Sequence, residues 1–269
     1  MSGLSCCALR SGSSGNSTLF CSPDGHVIVD LGINGRSFVS ALQEISFPED
    51  LIHTINGILI THEHRDHIAG LGVIMRRYKL PVYMNRKTFE AAAQSLGKVD
   101  LNLIHLIYPE EAFELGGFHI TPFRTSHDAA DPMAYTLESE HGKVAICTDL
   151  GIMQEHIMSH LRGSRLVYIE ANFEPQLLAS GPYPAALKAR IRGERGHLSN
   201  EDCARVCADL IQGGTEQFML SHLSRENNYP DMARLVVRQG LEAVGAVENS
   251  DYRLDVSRRY KASELVRLD

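Results

Sequence analysis

Seven consecutive residues constrain this chain more than any other stretch: Thr61-His62-Glu63-His64-Arg65-Asp66-His67. Three imidazoles and two carboxylates fall within six positions, a density that a solvated polar loop has no reason to hold. The segment follows the short apolar run 57–60, which reads as a strand, and precedes a helix-like stretch over 68–78. In an extended turn alternate side chains share a face, so His62 and His64 point the same way. Asp66 and His67 then open the helix and face a second point. Imidazole and carboxylate together suit zinc, iron or manganese. The spacing therefore predicts two metal sites fed by one turn between a strand and a helix.

Further ligands are expected at other strand ends, because open α/β sheets place their sites there. Extended runs are expected at 16–21 and 26–31, joined by the turn Ser22-Pro23-Asp24-Gly25. Others fall at 119–123, at 134–138 and 143–147 as a hairpin around His141-Gly142, at 166–169 and at 218–220. Three candidate ligands sit just past such runs: His127 after 119–123, Asp149 after 143–147 and His222 after 218–220. One helix is legible in detail. Ser199 is its expected N-cap with Asp202 three residues on, Cys203, Val206, Cys207, Leu210 and Ile211 recur at helical spacing, and Gly213-Gly214 ends it. Cys203 and Cys207 lie on its apolar face, where core packing accounts for them.

Composition excludes several classes. Lys plus Arg is 26 against 33 Asp plus Glu, a net charge of −7 over 269 residues, so a generally basic nucleic-acid coat is ruled out. A local basic strip is not: Lys188, Arg190, Arg192 and Arg195 cluster ahead of His197. With 43% hydrophobic residues the chain is an ordinary globular protein. Residues 1–16 show no signal-peptide pattern, and no run nears the ~18 apolar residues of a membrane helix. The six cysteines form no CxxC pair, which fits reduced thiols in a cytoplasmic chain with no membrane partner. The absence of Trp argues against an extensive base-stacking platform. Nothing here speaks to oligomeric state.

The ordered set His62-x-His64-x-Asp66-His67, then His127, Asp149 and His222, resembles the metallo-β-lactamase superfamily over about residues 10–230. The resemblance implies an α/β fold, an αββα sandwich of two mixed β-sheets flanked by helices, as a single domain over 1–269. It implies two divalent metal ions, zinc or manganese. His62, His64 and His127 would hold one, Asp66, His67 and His222 the other, and Asp149 would bridge them. Thioester hydrolases of the glyoxalase II type share these ligands, so a small-molecule thioester or lactone hydrolase stays open. Three later segments are similar to ribonuclease Z: 169–173 (IEANF) to its HEATF, 196–199 (GHLS) to its GHST and 221–224 (SHLS) to its THIS. Carried over, Glu170 would orient His197, and His197 would protonate the leaving oxygen. Ile169 departs from the first His of that pattern, and no tRNA-binding arm is inserted.

Five segments look like the WalJ/YycJ-type subfamily: 11–17 (SGSSGNS), 126–132 (SHDAADP), 181–184 (GPYP), 196–200 (GHLSN) and 222–227 (HLSREN). That resemblance implies a phosphodiesterase acting on a nucleic acid, DNA, as a 5′ to 3′ exonuclease. A hydroxide bridging the two metals would attack phosphorus, with Asp66 orienting or deprotonating it. Expected substrate contacts are Ser13, Ser14 and Asn16 in a Gly-Ser loop that equally reads as a tight turn, and Ser199, which capping alone also explains. Ser224, Arg225 and Asn227 beside His222, and Lys188, Arg190 and Arg192 in the basic strip, complete the set. The tail 248–269 alternates at Tyr252, Leu254 and Val256, as an edge strand or an oligomer contact would.

Overall fold

In the computed structural model, which describes residues 3–268, the expected strands are joined by others that the sequence reading does not mark, β1, β5, β6 and β7 among them, in two mixed seven-stranded sheets flanked by helices. The chain divides into two compact units. The first takes the chain through Phe123, Ala129–Gly142 and the chain from Arg258 onward; the second takes Arg124–Asp128 and Lys143–Ser257.

The first unit opens with β1 (Leu4–Arg10), β2 (Ser17–Ser22) and β3 (Gly25–Val29), then α1 (Gly35–Glu44), β4 (Gly57–Leu59), α2 (Arg65–Ile68), α3 (Leu71–Tyr78), β5 (Val82–Met84) and α4 (Arg86–Leu96). It continues through β6 (Ile104–Leu106), β7 (Phe113–Leu115), β8 (Phe118–Arg124) and β9 (Met133–Ser139). The second unit carries β10 (Gly142–Cys147), α5 (Glu155–Leu161), β11 (Leu166–Glu170), α6 (Pro175–Ser180), α7 (Ala185–Arg192), α8 (Asn200–Gln212), β12 (Gln217–Ser221), α9 (Pro230–Ala243) and β13 (Arg253–Val256). Finally β14 (Val266–Leu268) returns to the first unit. The sheets run β14-β1-β2-β3-β4-β5-β6 and β13-β12-β11-β10-β9-β8-β7.

Every residue of β1 and β2 is buried, as in strands covered on both faces. Phe38 and Leu42 of α1 and Ile74 and Met75 of α3 pack with Leu9, Leu19, Ile28 and Ile58 of the first sheet in one apolar cluster. In the second unit β10, β11, β12 and β13 pair in parallel, so their C-terminal ends lie on one edge. There α8 starts as expected: the Ser199 side chain accepts the Asp202 N–H, and Cys203, Val206, Cys207 and Leu210 are buried.

Two expectations change in detail. The helix-like stretch 68–78 is broken into α2 and α3, because Gly70 donates its N–H to the Leu31 carbonyl at 2.9 Å and is drawn into the turn after β3. The tail supplies two strands: β13 pairs with β12 on one sheet, and β14 runs antiparallel to β1 with Leu4 opposite Leu268 on the other. Asp269 lies outside the described residues. All six cysteines are buried and free. Burial, with Cys21 nearby, pushes the Cys7 thiol up to about 12, and burial takes Cys21 to about 12 as well. No helix among the described residues is long and apolar enough to cross a membrane.

Candidate metal centre

In the first unit the His-rich turn is stitched onto the end of β3. Leu31 N–H donates to the His67 carbonyl at 2.8 Å, and Asn16 N–H donates to the Asp66 carbonyl at 2.8 Å. This approach requires a glycine at position 32, since a Cβ there would lie 1.6 Å from the Asp66 carbonyl oxygen. The His62 and His64 rings lie 4.6 Å apart, and His62 and His67 4.1 Å apart. His67 Nε2 sits 3.6 Å from Asp66 Oδ2.

Behind this group sits a residue that no motif marks. Asp30 is buried at the end of β3, where Oδ1 accepts the Thr61 N–H at 2.9 Å and Oδ2 accepts the His67 Nδ1–H at 2.7 Å. Its only trace in the sequence is an acid directly after an apolar strand and two residues ahead of a glycine. Asn16 also has a more specific place than loop contact. Its side-chain amide lies 3.2 Å from His67 Nε2 and 3.4 Å from Asp66 Oδ2.

In the second unit the strand ends gather Asp149, Glu170, His197 and His222, whose donor atoms lie within 4.8 Å of one another. Glu170 closes β11 and is fully buried. Its Oε1 accepts from His197 Nδ1 and from His222 Nδ1, each at 2.8 Å, while Oε2 accepts the Leu150 and Leu198 N–H groups at 3.2 and 3.1 Å. Burial alone would raise this carboxyl, but the His197 and His222 partners outweigh it and hold Glu170 well below the usual carboxylate range. For His197 burial works against the charged ring, and the charge and hydrogen bond of Glu170 reverse it, leaving the imidazole raised. His127 goes the other way: burial lowers it against the pull of Asp149, favouring the neutral ring. Glu170 thus reaches His197 as the resemblance implies, and reaches His222 as well. Asn172, which the sequence does not single out, donates to the His222 carbonyl at 2.8 Å.

The donor set fits divalent ions. Four histidines are held through Nδ1 by an oxygen: His62 by the Thr61 hydroxyl at 3.0 Å, His67 by Asp30 at 2.7 Å, His127 by the Gly196 carbonyl at 3.0 Å and His222 by Glu170 at 2.8 Å. A carbonyl or carboxylate can only accept, and the Thr61 hydroxyl already donates to Asp30. Each ring therefore carries a proton on Nδ1 and leaves Nε2 as the atom a metal ion would take, the arrangement that orients histidine ligands in metal sites.

The expected substrate contacts divide. Ser13 and Ser14 are exposed at the tip of their loop. Ser199 is buried as the α8 cap. Asn227 is fully buried, with its N–H donating to Ser224 Oγ at 3.2 Å, whereas Arg225 is exposed. The basic strip is committed to its own unit. Lys188 Nζ donates to the Ala179 carbonyl at 2.7 Å, Arg190 pairs with Asp128, Arg192 reaches the Pro175 carbonyl at 3.3 Å and Arg195 the His127 carbonyl at 3.1 Å.

A family model described as the β-lactamase superfamily domain matches residues 21–223. This chain belongs to that superfamily. Its sheets and helices have the metallo-β-lactamase fold, and it is a metal-dependent hydrolase. It is 35% identical over 243 residues, 90% of this chain and 91% of the relative, to exodeoxyribonuclease YycJ of Bacillus anthracis. It is 38% identical over 232 residues, 85% of each protein, to exodeoxyribonuclease WalJ of Streptococcus pneumoniae. Among solved structures, the metallo-β-lactamase fold protein YhfI from Bacillus subtilis matches with a TM-score of 0.72 at 16% identity, covering 98% of this chain and 99% of that one, a likeness of fold.

Proposed function

We propose that this protein hydrolyses phosphodiester bonds of DNA as a 5′ to 3′ exonuclease. In this reading His62, His64, Asp66, His67, His127, Asp149 and His222 hold two divalent ions, zinc or manganese. The observation that carries it is the Glu170–His197 pair, 2.8 Å apart, in which a buried carboxylate orients an imidazole and favours its protonated form. The two relatives named exodeoxyribonucleases support DNA as the substrate class.

Divalent ions bound by these ligands supply Lewis acidity to the phosphoryl oxygens and a nucleophilic water at neutral pH. The chain's own residues do the rest. Asp66 orients the attacking water and takes up its proton. With Nδ1 committed to Glu170, His197 turns Nε2 toward the departing sugar oxygen as the proton donor, and Glu170 raises the ring's affinity for that proton against the effect of burial. Asn16 steadies Asp66 and His67 from the Gly-Ser loop.

The test is a panel of 5′- and 3′-labelled DNA and RNA strands incubated with purified protein and zinc, manganese or magnesium. DNA shortened from its 5′ end is the expected result. Asp66→Asn and His197→Ala should each lower the rate by about 10²- to 10⁴-fold with an unchanged melting curve. A wild-type protein that leaves every strand intact yet cleaves a thioester or lactone overturns the reading in favour of a small-molecule hydrolase.

A further inference from the structure

Glu170, His197 and His222 come from three separate segments of the second unit, and those segments meet again a few residues further on, at two asparagines. Asn200 lies three residues past His197, as the first residue of α8, and Asn228 lies six past His222, just ahead of α9. Asn200 closes the stretch 196–200 and Asn228 directly follows 222–227, two of the five stretches that carry the subfamily resemblance. Both are buried, and neither belongs to the group formed by Asp149, Glu170, His197 and His222.

Their amides bond to each other in both directions. Asn200 Nδ2–H donates to Asn228 Oδ1 at 3.0 Å, and Asn228 Nδ2–H donates to Asn200 Oδ1 at 2.8 Å. The surrounding backbone fixes which end of each amide is which. Asn228 Nδ2 also faces the Ala171 and Asn172 carbonyls, at 2.9 and 3.2 Å, and these only accept; its Oδ1 accepts the Tyr229 N–H at 2.9 Å. A flipped amide would set oxygen against oxygen. Ala171 and Asn172 are the two residues after Glu170. One asparagine side chain thus joins the exit of β11, the start of α8 and the loop from β12 to α9. Backbone bonds run beside it. Asn172 N–H donates to the Leu198 carbonyl at 3.0 Å, Asn200 N–H to the Phe173 carbonyl at 2.9 Å, and Ser224 N–H to the Asn172 carbonyl at 2.8 Å.

We propose that Asn200 and Asn228 are positioning residues, a clasp that holds the His197 ring on Glu170 and so aims its proton at the departing oxygen. A buried amide pair with every donor and acceptor matched has one satisfied arrangement, and that arrangement fixes where its three segments sit. Glu170 and His197 are 27 positions apart in the chain, so their 2.8 Å contact depends on what holds the two segments together. The constraint reaches the third member through Asn172. Asn228 holds its carbonyl, and its own side-chain amide donates to the His222 carbonyl at 2.8 Å. Proton transfer is steep in geometry: a misplacement of about 1 Å costs about a hundredfold in rate. This inference rests on the phosphodiesterase reading and adds to it what sets the place of the proton donor.

Two variants break the clasp. Asn200→Ala leaves Asn228 its bonds to Ala171, Asn172 and Tyr229, and Asn200→Asp keeps the volume but sets an oxygen against Asn228 Oδ1. Melting curves establish which of them fold. In metal-loaded protein, the rate on a labelled DNA strand, whose departing oxygen needs a proton, is compared with the rate on thymidine 5′-(p-nitrophenyl) phosphate, whose nitrophenolate leaves without one. The ratio of the DNA rate to the aryl-ester rate is expected to fall about tenfold to hundredfold, as it should in His197→Ala. The second readout needs no metal. In protein carrying nitrogen-labelled histidine, the His197 Nδ1–H resonance, assigned by its absence in His197→Ala, is expected downfield in the wild type and broadened by exchange with water in the variants. Folded variants in which the two rates fall in step, or in which ratio and resonance stay unchanged, overturn the clasp. Loss of the fold in both variants overturns it too, because the pair would then serve folding and not aim. A wild type that hydrolyses neither substrate sinks the phosphodiesterase reading. The resonance then decides alone: broadened in the variants, it supports the clasp, and sharp, it overturns it.

Discussion

Asp30 and Glu170 perform one task in two places. Each is a buried carboxylate at the C-terminal end of a parallel strand, accepting an imidazole Nδ1–H at 2.7 or 2.8 Å. A charge that deep is tolerated because it accepts several hydrogen bonds, and those bonds fix the tautomer of the ring it holds. Asp30→Asn tests this at His67. The amide keeps its one acceptor for the Thr61 N–H and then sets an NH₂ against the His67 Nδ1–H. Metal affinity, followed by titration of EDTA-stripped protein, is expected to fall by about tenfold to hundredfold. An unchanged affinity would mean that Asp30 does not orient His67. The ligands are legible in the sequence because they cluster or follow strands. Asp30 is not, since 37 positions separate it from the ring it serves, and the β3–β4 pairing with the Leu31–His67 backbone bond brings the two together.

At the scale of elements, three strand ends share one device. Asp30, Asp149 and His222 all have positive φ, at 61°, 60° and 55°, directly after or within two residues of β3, β10 and β12. Non-glycine residues enter this region rarely and at a cost, and here the left-handed turn swings a polar side chain across the end of its strand. No local sequence preference forecasts it. What the sequence does forecast are β2, β3, β4, β8 to β12 and the capped helix α8, where apolar runs end on turn signals, while the seven-residue β1 goes unread. Strands β5, β6, β7 and β14, three residues each, give no period to read. The segment before β14 is fastened by backbone bonds, Ser11 N–H to the Arg258 carbonyl and Ser263 N–H to the Ala8 carbonyl, and by one carboxylate on α1. Glu44 takes two hydrogen bonds from Arg10, at 2.7 and 3.1 Å, and the Ala262 N–H. The Arg10 hydrogen bond holds its carboxyl below the ordinary value, with burial opposing. A group depressed in the folded state stabilises the protein above its unfolded pKa, about 4.3 for Glu, and that contribution is lost as the pH falls through the folded value. The melting temperature of the wild type should therefore exceed that of Glu44→Gln near neutral pH, and the gap should narrow as the pH falls below the unfolded carboxylate range. A gap independent of pH would show that the Glu44 charge is not what fastens this segment.

For the whole molecule, the acidic balance and the basic strip trade significance. The strip from Lys188 to Arg195 reads in the sequence as a path for DNA, yet its side chains reach carbonyls and Asp128 within the second unit, a use that composition cannot reveal. The arginines that surround a cavity come from positions 10, 65 and 259, too far apart in the chain to form a run. Fold class is legible throughout, because the ligand order and the alternation of strands and helices are properties of the linear sequence. Three of the six buried thiols, Cys6, Cys7 and Cys21, belong to the first unit, and Cys147, Cys203 and Cys207 to the second. Only the thiolate reacts, and burial holds both the proton and the reagent in check. Each unit thus carries its own chemical clock. In native buffer a pulse of maleimide should leave all six unlabelled. Across a denaturant series, peptide mapping would show the two trios labelling together if the units open as one, or at separate midpoints if each opens alone.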